Sequence, residues 1–114
     1  MNQQNINNIL ELQEESKKDS NNILFLSVIY QALLDATKSK SITESSSITS
    51  LRREATNWFF ASIGVTSENF EFICDYADLN PNKVRDFASY VINSDNNKEV
   101  RHKLNLLLRR KELE

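Results

Sequence analysis

An all-α fold, a compact bundle of about five to six helices containing a helix-turn-helix, follows from three observations. Apolar residues recur at helical spacing through most of the 114 residues. A single glycine and a single proline leave too little turn chemistry for a β-sandwich or barrel. Residues 70–89, FEFICDYADLNPNKVRDFAS, place apolar side chains where two short helices lock across a tight turn. A chain of this length forms one small domain with tails and buries about two-thirds of its unfolded surface, enough for a single core.

The elements follow in chain order. Residues 1–22 are rich in Asn, Gln and Glu and read as a polar arm or a short amphipathic helix carrying Ile6, Ile9 and Leu10. Residues 23–38 form the most apolar helix, with Leu26, Ile29, Tyr30, Leu33 and Leu34 as a broad stripe. Residues 39–49, SKSITESSSIT, read as a polar Ser/Thr loop reaching about residue 50. A helix over 50–62 is expected next, capped by Thr49 or Ser50, with Leu51, Ala55, Trp58 and Phe59 facing the core. A bend at Ile63-Gly64-Val65 leads into the motif. Asn96 is expected to cap a final basic helix over 96–114, with Glu99 three residues on as a capping box. Val100, Leu104, Leu107 and Leu108 mark its apolar side, and Arg109, Arg110 and Lys111 lie where a helix C-terminus favours cations.

Within the motif, Ile73, Cys74, Ala77, Leu79, Val84 and Phe87 fall on the buried positions. The first helix is expected over 70–77, with Ser67 as its cap. The chain must then bend sharply at Ala77-Asp78-Leu79, which calls for a left-handed backbone at Asp78; aspartate tolerates that conformation better than most residues with a Cβ. Asn80 is a strong N-cap, and Pro81 at the first helical position forfeits only a donor that had no partner. The second helix, 81–92, buries Val84, Phe87, Ala88 and Val91 and turns Asn82, Arg85, Asp86 and Ser89 outward. That face would enter a major groove if the helix is a recognition helix. Arg85 is the candidate for a guanine edge, with Asn82 and Ser89 beside it. Lys83 and the backbone at Asn80, Pro81 and Asn82 would hold phosphate at the helix N-terminus, and Arg52 and Arg53 are candidate backbone clamps.

Net charge is −2, which does not advertise a nucleic-acid ligand. The charge is unevenly spread, however. Residues 1–80 hold 6 basic and 11 acidic side chains, net −5, and residues 81–114 hold 8 basic and 5 acidic, net +3. A basic C-terminal third can still meet phosphates. Cys74 is the lone cysteine, so no internal disulfide forms and a reducing cytosol fits. His102 has no partner suggesting catalysis or metal binding. An enzyme is a poor reading, since there is no acid/base pair, phosphate loop or metal-ligand spacing. No cofactor is implied. No apolar run approaches a membrane span, and the polar first residues do not read as a signal peptide.

Three blocks carry a family likeness. Phe25 to Thr37 reads FLSVIYQALLDAT, Arg53 to Ser62 reads REATNWFFAS, and Phe72 to Arg85 reads FICDYADLNPNKVR. Together they resemble the DNA-binding regulatory domain of alphaproteobacterial gene-transfer-agent activators and related prophage proteins. That domain shows a Leu-Asp-Ala-like helix end, a Glu-Ala-x-x-Trp block and a Cys-x-x-Ala-Gly-Leu-x-Pro-x-x-Val-Arg run. Asp78 replaces the glycine of that pattern and sets a negative charge near the turn. The run Leu79-x-x-x-x-Val84-Arg85 is also similar to the promoter-reading region of sigma factors, which makes the expected bundle sigma-region-4-like. The resemblance implies a bacterial transcription regulator of phage-like genes, binding double-stranded DNA in the cytoplasm near the nucleoid and working close to RNA polymerase. A homodimer is a further expectation, because short motifs gain affinity by pairing. The competing expectation is a helical protein-interaction module, such as an RNA polymerase adaptor or an anti-repressor, favoured by the acidic surface.

Overall fold

The computed structural model describes residues 20–38, 45–94 and 97–113. Five helices, and no strand, are found among them: α1 (Ser20–Ala36), α2 (Ser46–Phe60), α3 (Gly64–Tyr76), α4 (Pro81–Ile92) and α5 (Lys98–Leu113). The fold is all-α, as the periodicity predicts. The polar arm with Ile6, Ile9 and Leu10, the greater part of the Ser/Thr loop and the Asn96 cap lie outside the described residues. α1 begins at Ser20, inside the segment read as an arm.

α1 is the hub, touching each of the other four helices. Its predicted stripe is buried throughout: Leu26, Ile29, Tyr30, Leu33 and Leu34 are at most 6% exposed. The core continues through Ala55, Phe59, Phe70, Ile73, Cys74, Leu79, Val84, Phe87 and Val91 and closes with Val100 and Leu104, which bring α5 back against α1. Burial pushes the phenol of Tyr30 well above its ordinary range.

Two further helix starts differ from the sequence expectation. α2 begins at Ser46, capped by Ser45, whose hydroxyl accepts from the Ile48 amide at 3.4 Å, rather than by Thr49 or Ser50. Four serines and a threonine crowd this stretch, and any of them has the capping chemistry. Leu51, expected in the core, is 38% exposed. It lies four residues before the buried Ala55, at the edge of the stripe rather than its centre. α3 begins at Gly64, six residues before the expected start, and its cap residue Ile63 makes no side-chain cap. Ser67 is therefore not a cap; it sits buried within the helix. The sharp entry to α3 depends on Gly64, whose φ of 88° lies in the region that a Cβ disfavours.

Helices also end on distant groups. α1 has no basic residue of its own in its last turn, and two arginines from elsewhere supply that charge. The Arg101 guanidinium donates to the Leu34 carbonyl at 2.6 Å and to the Thr37 hydroxyl at 2.7 Å, while Arg52 Nε donates to the Lys38 carbonyl at 3.1 Å. The Thr37 hydroxyl in turn donates to the Leu33 carbonyl at 2.6 Å. Orphan carbonyls at a helix C-terminus attract cations for both hydrogen-bonding and dipolar reasons.

Candidate nucleic-acid interface

The α3–turn–α4 unit is built by local backbone chemistry. Asp78 adopts φ 63°, the left-handed conformation anticipated for it. Around it the Leu79 amide donates to the Cys74 carbonyl at 2.9 Å, and the Asp78 amide donates to the Asp75 carbonyl at 3.0 Å. These are the two bonds of a Schellman ending, which usually employs glycine at the left-handed position. Leu79 then turns inward, 5% exposed. Asn80 caps α4 through its side-chain oxygen, accepting from the Asn82 amide at 2.8 Å, and Pro81 opens the helix. Asp78→Val is expected to lower stability by about 1–2 kcal/mol, the cost of a left-handed residue with a branched Cβ. Asp78→Gly should stay at or above the parent. Urea midpoints of the two variants check this.

Cys74 lies where α3 meets its neighbours, with no exposed surface. Burial pushes its thiol from 9.0 up to about 12; Arg85 pulls the other way and Glu71 adds to the rise. The folded chain thus keeps this thiol protonated where the unfolded chain ionises it. The contribution to stability is whole below pH 9.0 and is lost as pH climbs toward 12. Urea midpoints should therefore fall with alkalinity more steeply for the parent than for Cys74→Ala, and equal slopes would refute the assignment.

The residues expected to meet DNA fall into three groups. Asn82 and Lys83 are exposed on the first turn of α4, where Asn80 is also exposed but spends its side chain on the cap. Ser89 lies two turns further on, half-buried, its hydroxyl accepting from Asn93 at 3.3 Å. Arg52 and Arg53 lie on α2 with Thr49, Thr56, Asn57 and Phe60, along one shallow depression. Arg52 already reaches the end of α1, while Arg53 is exposed.

Arg85 stands apart. Its Nε donates to the Phe59 carbonyl at 2.9 Å, its guanidinium carbon lies 4.6 Å from the centre of the Phe70 ring, and it approaches Glu71 at 3.7 Å. Its side chain is 23% exposed. The outward orientation expected from helical spacing is replaced by one that caps the C-terminal end of α2 and covers an aromatic face. The cause is tertiary: position 85 borders the buried stripe, and the end of α2 lies beside it.

That end is an aromatic cluster. Trp58, Phe59 and Phe70 meet edge-to-face with ring centres 4.9–5.8 Å apart, and Trp58 Nε1 donates to Asn69 Oδ1 at 2.8 Å. α2 and α3 are thereby fixed together, and Arg85 adds α4. The outer side of α3 is acidic instead, with exposed Glu68, Glu71 and Asp75.

Sequence reasoning missed an apolar surface. Leu24 and Val28 on α1 and Phe72 and Tyr76 on α3 are 42–52% exposed. Phe25 stacks on Tyr76 at 5.1 Å, and Tyr76 on Phe72 at 4.4 Å. The signal was available: Phe72 and Tyr76 are one helical turn apart and fall off the inward set 70, 73, 74 and 77.

No helix among the described residues is long and apolar enough to cross a membrane. No group of three or more metal-ligating side chains is found among them. Comparison with protein-family models, with curated proteins and with solved structures finds no match.

Proposed function

We propose that this chain is a DNA-binding transcription regulator whose α3–turn–α4 unit is a helix-turn-helix and whose α4 lies in the major groove. The observation carrying this reading is the rigid setting of α4. Asp78, Asn80 and Pro81 define its start, Val84, Phe87, Ala88 and Val91 anchor its inner side, and Asn82, Lys83 and Asp86 remain exposed. Asn82 is the base-reading candidate, since an amide pairs bidentately with adenine. Ser89 flanks it. Lys83 and the opening amides of α4 hold phosphate. Arg85 braces the reading helix rather than meeting a base. The likeness to gene-transfer-agent activators supports phage-like genes as the regulated set.

A salt series of gel shifts on pooled duplexes tests the proposal. Affinity should fall linearly with salt on logarithmic axes. Lys83→Ala should reduce that slope by about 1, and Asn82→Ala should cost about 1–3 kcal/mol at one base position. Absence of any shift at low salt would remove the reading.

One observation favours a second reading, a protein-interaction module such as an RNA polymerase adaptor or anti-repressor. Glu68, Glu71, Asp75, Asp78 and Asp86 all lie exposed on the α3–turn–α4 unit, and carboxylates repel phosphate. Recovery of polymerase in a pull-down, with no duplex shifted, would decide for it.

A further inference from the structure

α3 carries two apolar faces. Phe70, Ile73, Cys74 and Ala77 turn inward. On the opposite side Val65, Phe72 and Tyr76 are 81%, 51% and 48% exposed. With Asn69 between them, these positions follow one another at intervals of four, three and four residues, the a/d spacing of a helix–helix seam. The seam runs for about three turns. Large apolar side chains repeating in that register toward solvent are what a second helix covers. Phe25 of α1 extends the seam at one end, its ring centre 5.1 Å from that of Tyr76, which lies 4.4 Å from Phe72. α1 adds only Leu24 and Val28 beyond that, because Ser27, Gln31 and Asp35 share their side of the helix.

The charges beside the seam have one sign. Glu68 and Asp75 fall at its two g positions, seven residues apart and both exposed. Glu71, on the same flank, already meets Arg85 at 3.7 Å. Among the described residues no cation pairs with Glu68 or Asp75. The other flank belongs to the core, through buried Ile73. A helix lying on this seam therefore needs an apolar stripe and, along one edge, lysine or arginine. The α3 of a second copy fails that requirement. Two such seams laid antiparallel bring their acidic edges together, and like charges in contact oppose association.

We propose that the seam of Val65, Phe72 and Tyr76, edged by Glu68 and Asp75, is the docking site for an amphipathic helix of another protein, one that sets lysine or arginine beside its apolar stripe. Recognition of this kind divides the work: apolar residues at turn spacing supply contact, and edge charges select the partner and its direction. The seam includes none of the exposed residues of α4, and its occupancy is measured without DNA.

Titration of the isotope-labelled full-length chain with two synthetic peptides, followed by amide chemical shifts, tests it. One peptide repeats the heptad Lys-Ile-Ala-Ala-Leu-Lys-Glu, the other Glu-Ile-Ala-Ala-Leu-Glu-Lys. The lysine-edged peptide should bind the parent, move amides over 65–76 and around Phe25, and bind less as salt is raised. The glutamate-edged peptide should bind about tenfold more weakly. Glu68→Lys with Asp75→Lys should reverse that preference. Phe72→Gln should weaken the lysine-edged peptide about tenfold without any change of charge. Both variants should retain the parent's circular dichroism, since the substituted side chains are exposed. No binding of the lysine-edged peptide, equal affinity for the two peptides, a preference unmoved by the reversal, or shifts confined to other helices would each overturn the proposal. So would self-association of the parent that Phe72→Gln abolishes, which would assign the seam to a second copy.

Discussion

Phe70→Ala should be the most damaging single change in the chain, costing about 3–5 kcal/mol. Phe70 has no exposed surface. It meets Trp58 and Phe59 edge-to-face and carries the Arg85 guanidinium over its ring. Truncation opens a cavity at the meeting point of α2, α3 and α4 and removes the aromatic face beneath a cation. A domain of this size has about 5–15 kcal/mol of total stability, so much of the margin disappears. Urea denaturation followed by tryptophan fluorescence measures the loss, since Trp58 lies within the cluster. A midpoint close to the parent's would show that the cluster does not join these helices.

Arg85→Ala should cost about 2–3 kcal/mol. A hydrogen bond from a charged donor contributes about 1.5–3 kcal/mol, and the ring contact adds about 0.5–1 kcal/mol at a partly exposed site. Arg85→Lys should recover only a fraction, because an ammonium cannot both donate along the Nε direction to Phe59 and lie flat over Phe70. This outcome differs in kind from loss of a base contact. A reader of guanine would lose discrimination at one base position and keep its denaturation midpoint. A brace loses the midpoint. Measuring both quantities on the same variant separates the two roles.

The contrast shows which kinds of information the sequence carried. α4 was legible to the residue, 81–92, because Asn80 and Pro81 punctuate its start within two positions and its buried stripe keeps strict helical spacing. The left-handed Asp78 was legible for the same reason, since inward Cys74 and Leu79 leave the backbone no other course. The start of α2 was hidden by an excess of equivalent capping residues. The start of α3 was hidden by the absence of a side-chain cap at Ile63. The position of Arg85 depends on a carbonyl 26 residues earlier in the chain, and no local pattern encodes a contact at that separation. Periodicity assigns residues to faces. It does not say which neighbouring helix end a long side chain at a boundary will find.

The end of α1 is a clasp fastened from two directions. Arg52 reaches it across 14 residues and Arg101 across 67. The second closure spans more than half the chain and so carries one of the larger loop-closure costs in the fold. Lifting α5 away would strip the Leu34 carbonyl and the Thr37 hydroxyl of their shared donor in one movement. Fraying at that helix terminus is therefore coupled to detachment of the C-terminal segment.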